Sequence, residues 1–81
     1  MNSLSAERGA PVIVRTYGGR PEVRFLWEER PAGFIVTEQP GDGRRAVGIP
    51  ASDVFRYDAV AAASIVSGGG LDWFGLRPLR D

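Results

Sequence analysis

Eighty-one residues without a cysteine or a histidine must hold a fold together by side-chain packing alone. A chain this short buries only about 60–65% of the surface its extended form exposes, so its core is marginal. Domains of this size commonly add a disulfide, a metal or a partner subunit. The missing residues remove the first two staples, which leaves self-association as the expected third. The same absences clear away most catalytic chemistry. There is no imidazole to titrate near neutral pH and no thiolate. Because all ten basic side chains are arginine, there is also no lysine to form a Schiff base. The remaining Ser, Thr, Tyr, Arg and carboxylates fall into no catalytic spacing. The chain is therefore read as non-catalytic, with no cofactor and no metal.

Composition places it among folded domains: 43% of residues are hydrophobic and 25% charged. Ten acids balance the ten arginines, which argues against a binder that relies on neutralising a phosphate backbone. No stretch reaches the length of a membrane span, and residues 1–8 lack the charged-then-apolar design of a signal peptide. A cytoplasmic protein is expected, with a mobile tail over residues 1–10 and one domain over 11–81.

Turn residues cut the chain into short extended runs. Residues 11–17 are β-branched and aromatic and read as a first strand, ended by Gly18-Gly19-Arg20-Pro21. Residues 22–28 alternate, with Val23, Phe25 and Trp27 on one face and Glu22, Arg24 and Glu28 on the other. Leu26 breaks the pattern by falling on the charged face. Arg30-Pro31-Ala32-Gly33 has type I turn chemistry. A left-handed Gly33 would give a three-residue loop with a G1 bulge, setting Glu29 opposite Ile35 and Trp27 opposite Thr37. That register buries Phe25, Trp27 and Ile35 together, whereas a two-residue loop would bring Val36 there instead. Residues 33–38 form the third strand, 39–44 a polar turn and 45–49 a short fourth strand, a spacing that suggests an antiparallel meander.

Pro50-Ala51-Ser52-Asp53 reads as a helix start with Ser52 as N-cap. Phe55, Ala59, Ala62 and Val66 share a helical stripe, widened by Val54, Ala61 and Ile65. Gly68 is the natural stop. A rival reading makes 52–58 a turn and runs a strand through Ile65-Val66; alanine density favours helix. Residues 71–77 read as a closing strand at a sheet edge, because Pro78 follows. The expectation is an α+β domain: a curved, small barrel-like antiparallel sheet of four to five strands with one Ala-rich helix.

The segment Val47-Gly48-Ile49-Pro50-Ala51-Ser52-Asp53-Val54 resembles the Gly-x-x-Pro-Ser-x-x-Val signature of SH3 domains, in which a strand ends at Pro and a 3₁₀ turn follows. The resemblance spans about eight residues. It implies a small β-barrel module whose Pro, here Pro50, and a Tyr, here Tyr57, line a groove for proline-rich peptides. Tyr57 is displaced from the family position. The family's acidic loop and paired tryptophans are absent, and the Ala-rich stretch after Val54 has no counterpart.

Two sets of residues stand as candidate contacts. Trp73 and Phe74 alternate along the C-terminal segment, so one must face outward; with Tyr57 they are candidate anchors for a protein partner or a second copy. Arg44 and Arg45 beside Gly41 and Gly43, and Arg15 and Arg24 near Tyr17, are candidate anion or nucleic-acid contacts. Glu22, Glu28, Glu29 and Glu38 lie in the same strands and would cancel their field. The reading is a small protein-interaction module that self-associates; the alternative is a nucleic-acid-binding accessory protein.

Overall fold

The computed structural model describes residues 7–80, and the expected tail therefore lies largely outside the described residues. Its described end is tied down: the Gly9 amide donates to the Leu26 carbonyl and the Leu26 amide to the Ala10 carbonyl. Five strands follow: β1 (Pro11–Arg15), β2 (Pro21–Arg30), β3 (Gly33–Thr37), β4 (Val47–Pro50) and β5 (Val54–Arg56). They form one antiparallel sheet in the order β4-β3-β2-β1-β5, with one helix, α1 (Ala59–Val66). The expected α+β class holds. The sheet stays open, with β4 and β5 at its edges.

The ten-residue β2 divides its partners. Its first half pairs with β1 (Pro11↔Phe25 to Arg15↔Pro21) and its second half with β3. The register slips between Leu26 and Glu28, so Trp27 is the extra residue of a bulge. The β2–β3 loop is the two-residue turn Pro31-Ala32, with Arg30↔Gly33, Glu29↔Phe34 and Glu28↔Ile35. The expected bulge at Gly33 is therefore corrected to one at Trp27. Gly33 is needed for close approach rather than for a left-handed backbone: a Cβ there would drive into the Ile49 carbonyl oxygen of β4.

Leu26 is buried, while Phe25, Trp27 and Ile35 are only half-buried. The face that carries Glu22 and Arg24 enters the core halfway along β2. At the rim those two side chains pair with each other at 3.0 Å. Leu26 then joins Val12, Val14, Phe34, Val36, Val54 and Leu79, with Ile49 and Ala51 packed against them. The opposite face holds Ile13, Phe55 and Ala61, flanked by Ile65, Leu71, Trp73 and Leu76. A strand buried on both faces reads as a continuous apolar run, which is why Val12-Ile13-Val14 is buried without a break.

The helix begins later than expected. Ser52 makes no capping hydrogen bond; residues 51–53 are a 3₁₀ turn, and Val54 and Phe55 belong to β5. Asp58 is the N-cap, its carboxylate accepting from the Ala61 amide at 2.9 Å. The C-terminal end is as expected. Gly68 (φ 81°) donates to the Ile65 carbonyl and Gly69 to that of Ser64, a Schellman closure. Beyond it, the expected closing strand is instead a 3₁₀ turn over 73–75. Only the following residues reach the sheet: the Arg56 amide donates to the Arg77 carbonyl, and the Leu79 amide to that of Val54. These bonds close the outer edge of β5. The fourth strand is also shorter than expected, since Gly43–Arg45 is a 3₁₀ turn capped by Asp42.

Candidate functional site

A cleft of about 690 Å³ opens beside β4. Val14, Val36 and Ile49 give it an apolar floor, continuous with the Leu26 core. Val47 and Pro50 form one wall, and the β1–β2 turn supplies Tyr17, Gly18 and Gly19. Tyr17 is fully exposed there, and Val47 is more than half exposed. Tyr17 and Pro50 line this cleft, and Tyr57, offered beside Pro50 by the sequence, does not. The sequence signal for Tyr17 was its position at the end of an apolar run, immediately before two glycines.

The candidate anion-binding arginines do not form a free basic surface. Arg15 donates from Nε to Asp53 at 2.9 Å and from Nη2 to the Ser52 carbonyl at 3.1 Å, pinning the 51–53 turn to β1. Its guanidinium also lies over Phe55 at 5.2 Å and over Trp73 at 4.9 Å. Arg24 is held by Glu22. Arg44 grips Asp42 with Nε and Nη2, at 3.1 and 3.0 Å. Arg45 is the one member of the set with an exposed side chain and no acid partner among the described residues.

The Arg44 side chain, and then its backbone amide, hold the Asp42 carboxyl below its ordinary value; Asp42 in turn raises the Arg44 guanidinium. The sign follows directly. A depressed carboxylate contributes stability that is present above the ordinary carboxylate range and is lost as pH falls through the lowered value. The pair lies at the surface, with Arg44 exposed and Asp42 half-buried, so salt screens it. An NMR titration should find Asp42 ionising below an unpaired carboxylate. Its midpoint should move back upward in about 1 M salt; a midpoint unmoved by salt would rule the ion pair out as the cause.

The aromatic candidates separate. Trp73 is half-buried and packs on Phe55 with ring centroids 5.1 Å apart. Phe74, next in sequence, is fully exposed, and Tyr57 is nearly half exposed. Helix α1 lies beside them in the same layer, through Ala61 and Ile65. Its sequence, AVAAASIV, carries no charge. Ala59, Val60, Ala63 and Val66 form one exposed arc of it, with Val60 80% and Val66 85% accessible. The stripe expected to face the core is corrected here: of Ala59, Ala62 and Val66 only Ala62 is buried, because a helix that starts at Ala59 packs through Ala61 and Ala62 and turns Ala59 and Val66 to solvent.

None of the described helices is long and apolar enough to cross a membrane. The chain matches no protein family, no curated protein and no solved structure.

Proposed function

We propose that this chain is a small, non-catalytic, SH3-like protein-interaction module that associates with a second copy of itself through the outer face of α1 and Phe74. The observation that carries the reading is the uncharged helix. A helix that is apolar all round is ordinarily covered all round, yet α1 leaves two valines in solvent beside the 3₁₀ turn that exposes Phe74. Marginal size without a covalent or metal staple favours the same outcome. The SH3-like reading is supported by the end of β4 at Pro50 and the 3₁₀ turn over Ala51–Asp53 that follows it. The nucleic-acid alternative has little to stand on, because three of its four arginines are engaged by Asp53, Glu22 and Asp42.

Light scattering at roughly 50 µM should give the mass of a dimer or larger, in keeping with a mass-action equilibrium. A Val60→Glu/Val66→Glu variant should be monomeric with an unchanged circular dichroism spectrum, since both side chains sit in solvent in the single chain. A wild-type monomer, or a variant that still associates, rejects the reading. Labelled single-stranded and duplex oligonucleotides should show no binding at physiological salt. Sub-micromolar binding that collapses in Arg44→Ala/Arg45→Ala would shift the reading to nucleic acid.

A further inference from the structure

The two edges of the sheet are not alike. The outer edge of β5 is occupied by the Arg77 carbonyl and the Leu79 amide of the same chain. Among the described residues nothing pairs with the outer edge of β4. That edge, Val47-Gly48-Ile49-Pro50, has no charged residue, and it forms a wall of the apolar cleft. Open edges are usually guarded by charge, by a covering loop or by a bulge. Here the edge carries no charge and, among the described residues, no covering loop, and its guards are its shortness and Pro50 at one end; it stands next to a cavity able to take side chains, an arrangement in which an extended segment can add as a strand.

The geometry points to β4 and its cleft as a binding site for an extended segment of a different protein, which adds antiparallel to β4 with the pattern apolar-x-apolar-x-acidic, read from its N-terminus. The pattern comes from the register. Val47 and Ile49 share a face of β4, so ligand residues opposite Ile49 and then Val47 point to the same face and enter the cleft. Past Val47 the chain leaves the strand for the 3₁₀ turn Gly43–Arg45, and the C-terminal end of the ligand there meets Arg45, the cation lining the cleft that has no acid of its own. Glu38, the other unpaired charge in the lining, belongs to the β3 end of the hairpin, one strand further in. A strand added outside β4 therefore meets the arginine first. The charge also decides against a second copy as the occupant. Two β4 strands paired about Gly48 would bring the Arg45 turn of one copy toward the 51–53 turn of the other. The acid of that turn, Asp53, is already gripped by Arg15 at 2.9 Å.

The site is separate from the α1 face, so the two proposals fail independently. A phage library displaying random peptides is panned on the Val60→Glu/Val66→Glu protein, and an enriched peptide is then titrated while amide resonances are followed. The expected result is enrichment of the apolar-x-apolar-x-acidic pattern, with the largest shifts at Val47, Gly48 and Ile49. Val47→Lys should weaken the peptide about tenfold by filling the apolar site with a charge. Arg45→Glu, a substitution at an exposed position, should select peptides with a basic residue in the last place. The proposal is overturned by no enrichment over a protein-free control, by shifts that map to α1 and Phe74, or by an Arg45→Glu motif identical to the original. It is also overturned if the β4 amides shift with protein concentration alone, which would assign the edge to a second copy.

Discussion

Replacing Phe34 by alanine should remove about 3–5 kcal/mol of stability and leave much of the protein unfolded at 25 °C. At ~0.05–0.15 kcal/mol per residue, a domain of this length holds only about 4–12 kcal/mol in total. Phe34 is 1% exposed and is the largest fully buried side chain. It packs in the layer with Leu26, Val36 and Leu79, and the Arg80 guanidinium lies 4.7 Å from its ring centroid. Removing the ring both empties that layer and deprives Arg80 of its stacking surface. Trp27→Ala is the informative comparison. Trp27 sits on the bulge, half-buried, with Arg8 4.3 Å from its ring centroid and the backbone of Gly43 against it. Its loss should cost less than that of Phe34, because one side of the ring packs against an exposed arginine rather than the core. Urea unfolding of the two variants decides this: a lower midpoint for Trp27→Ala than for Phe34→Ala would return the core to the face that strand alternation first suggested.

That reversal shows what a period-two reading can and cannot deliver. Alternation in 22–28 placed Val23, Phe25 and Trp27 inward on the strength of Glu22 and Arg24 opposite them. Both charges sit at the rim, paired with each other, and the same face is core four residues later at Leu26. Nothing local in the sequence marks where a ten-residue strand passes from rim to core. The G1 bulge expected at Gly33 does not form, and the bulge at Trp27 was not foreseen, because Gly33 was assigned to a left-handed turn when its role is to let the Ile49 carbonyl approach. That is a contact between residues sixteen positions apart, invisible to turn rules. The existence of β1 to β4, their hairpins and the helix stop at Gly68 was legible because each rests on adjacent residues, whereas β5 was hidden inside the expected helix and the closing strand expected over 71–77 is a 3₁₀ turn.

The helix start was misread for a related reason. Ser52 and Asp58 both satisfy N-cap chemistry, and the stripe from Phe55 to Val66 fits either. The choice between them is tertiary: Val54 and Phe55 pair with Val14 and Ile13 of β1, and a helix there would leave the β1 edge bare. The cleft was half legible. Pro50 was marked by its place before the 3₁₀ turn, but Tyr17, Val36 and Val47 come together only through strand order. Two of the arginines' partners are local, Glu22 for Arg24 and Asp42 for Arg44, each two positions away; only the third depends on tertiary structure, with Asp53 reaching back to Arg15 across 38 positions.

Leu79→Ala should destabilise the protein by about 2–5 kcal/mol, because a segment without secondary structure of its own here supplies a core side chain. Leu79 is 6% exposed and packs in the Phe34 layer. Its amide donates to the Val54 carbonyl at 3.0 Å. The next residue fastens the far side of the sheet. Arg80 donates to the carbonyls of Arg30 and Pro31 at 2.6 and 2.8 Å, and to the Glu29 carboxylate at 3.1 Å. The segment thus spans from the β5 edge to the β2–β3 turn, closing over one face what the open sheet leaves unclosed. Leu79→Ala breaks the apolar link of that strap, while Arg80→Ala removes its hydrogen bonds to the turn. Phe74→Ala, five residues earlier and fully exposed, should change the stability of the single chain by no more than about 0.5 kcal/mol. All three are compared by urea unfolding at a concentration low enough to keep the chain monomeric. A loss at Phe74 that equals or exceeds the loss at Leu79 would mean that the 73–75 turn, and not the strap, anchors the C-terminal segment.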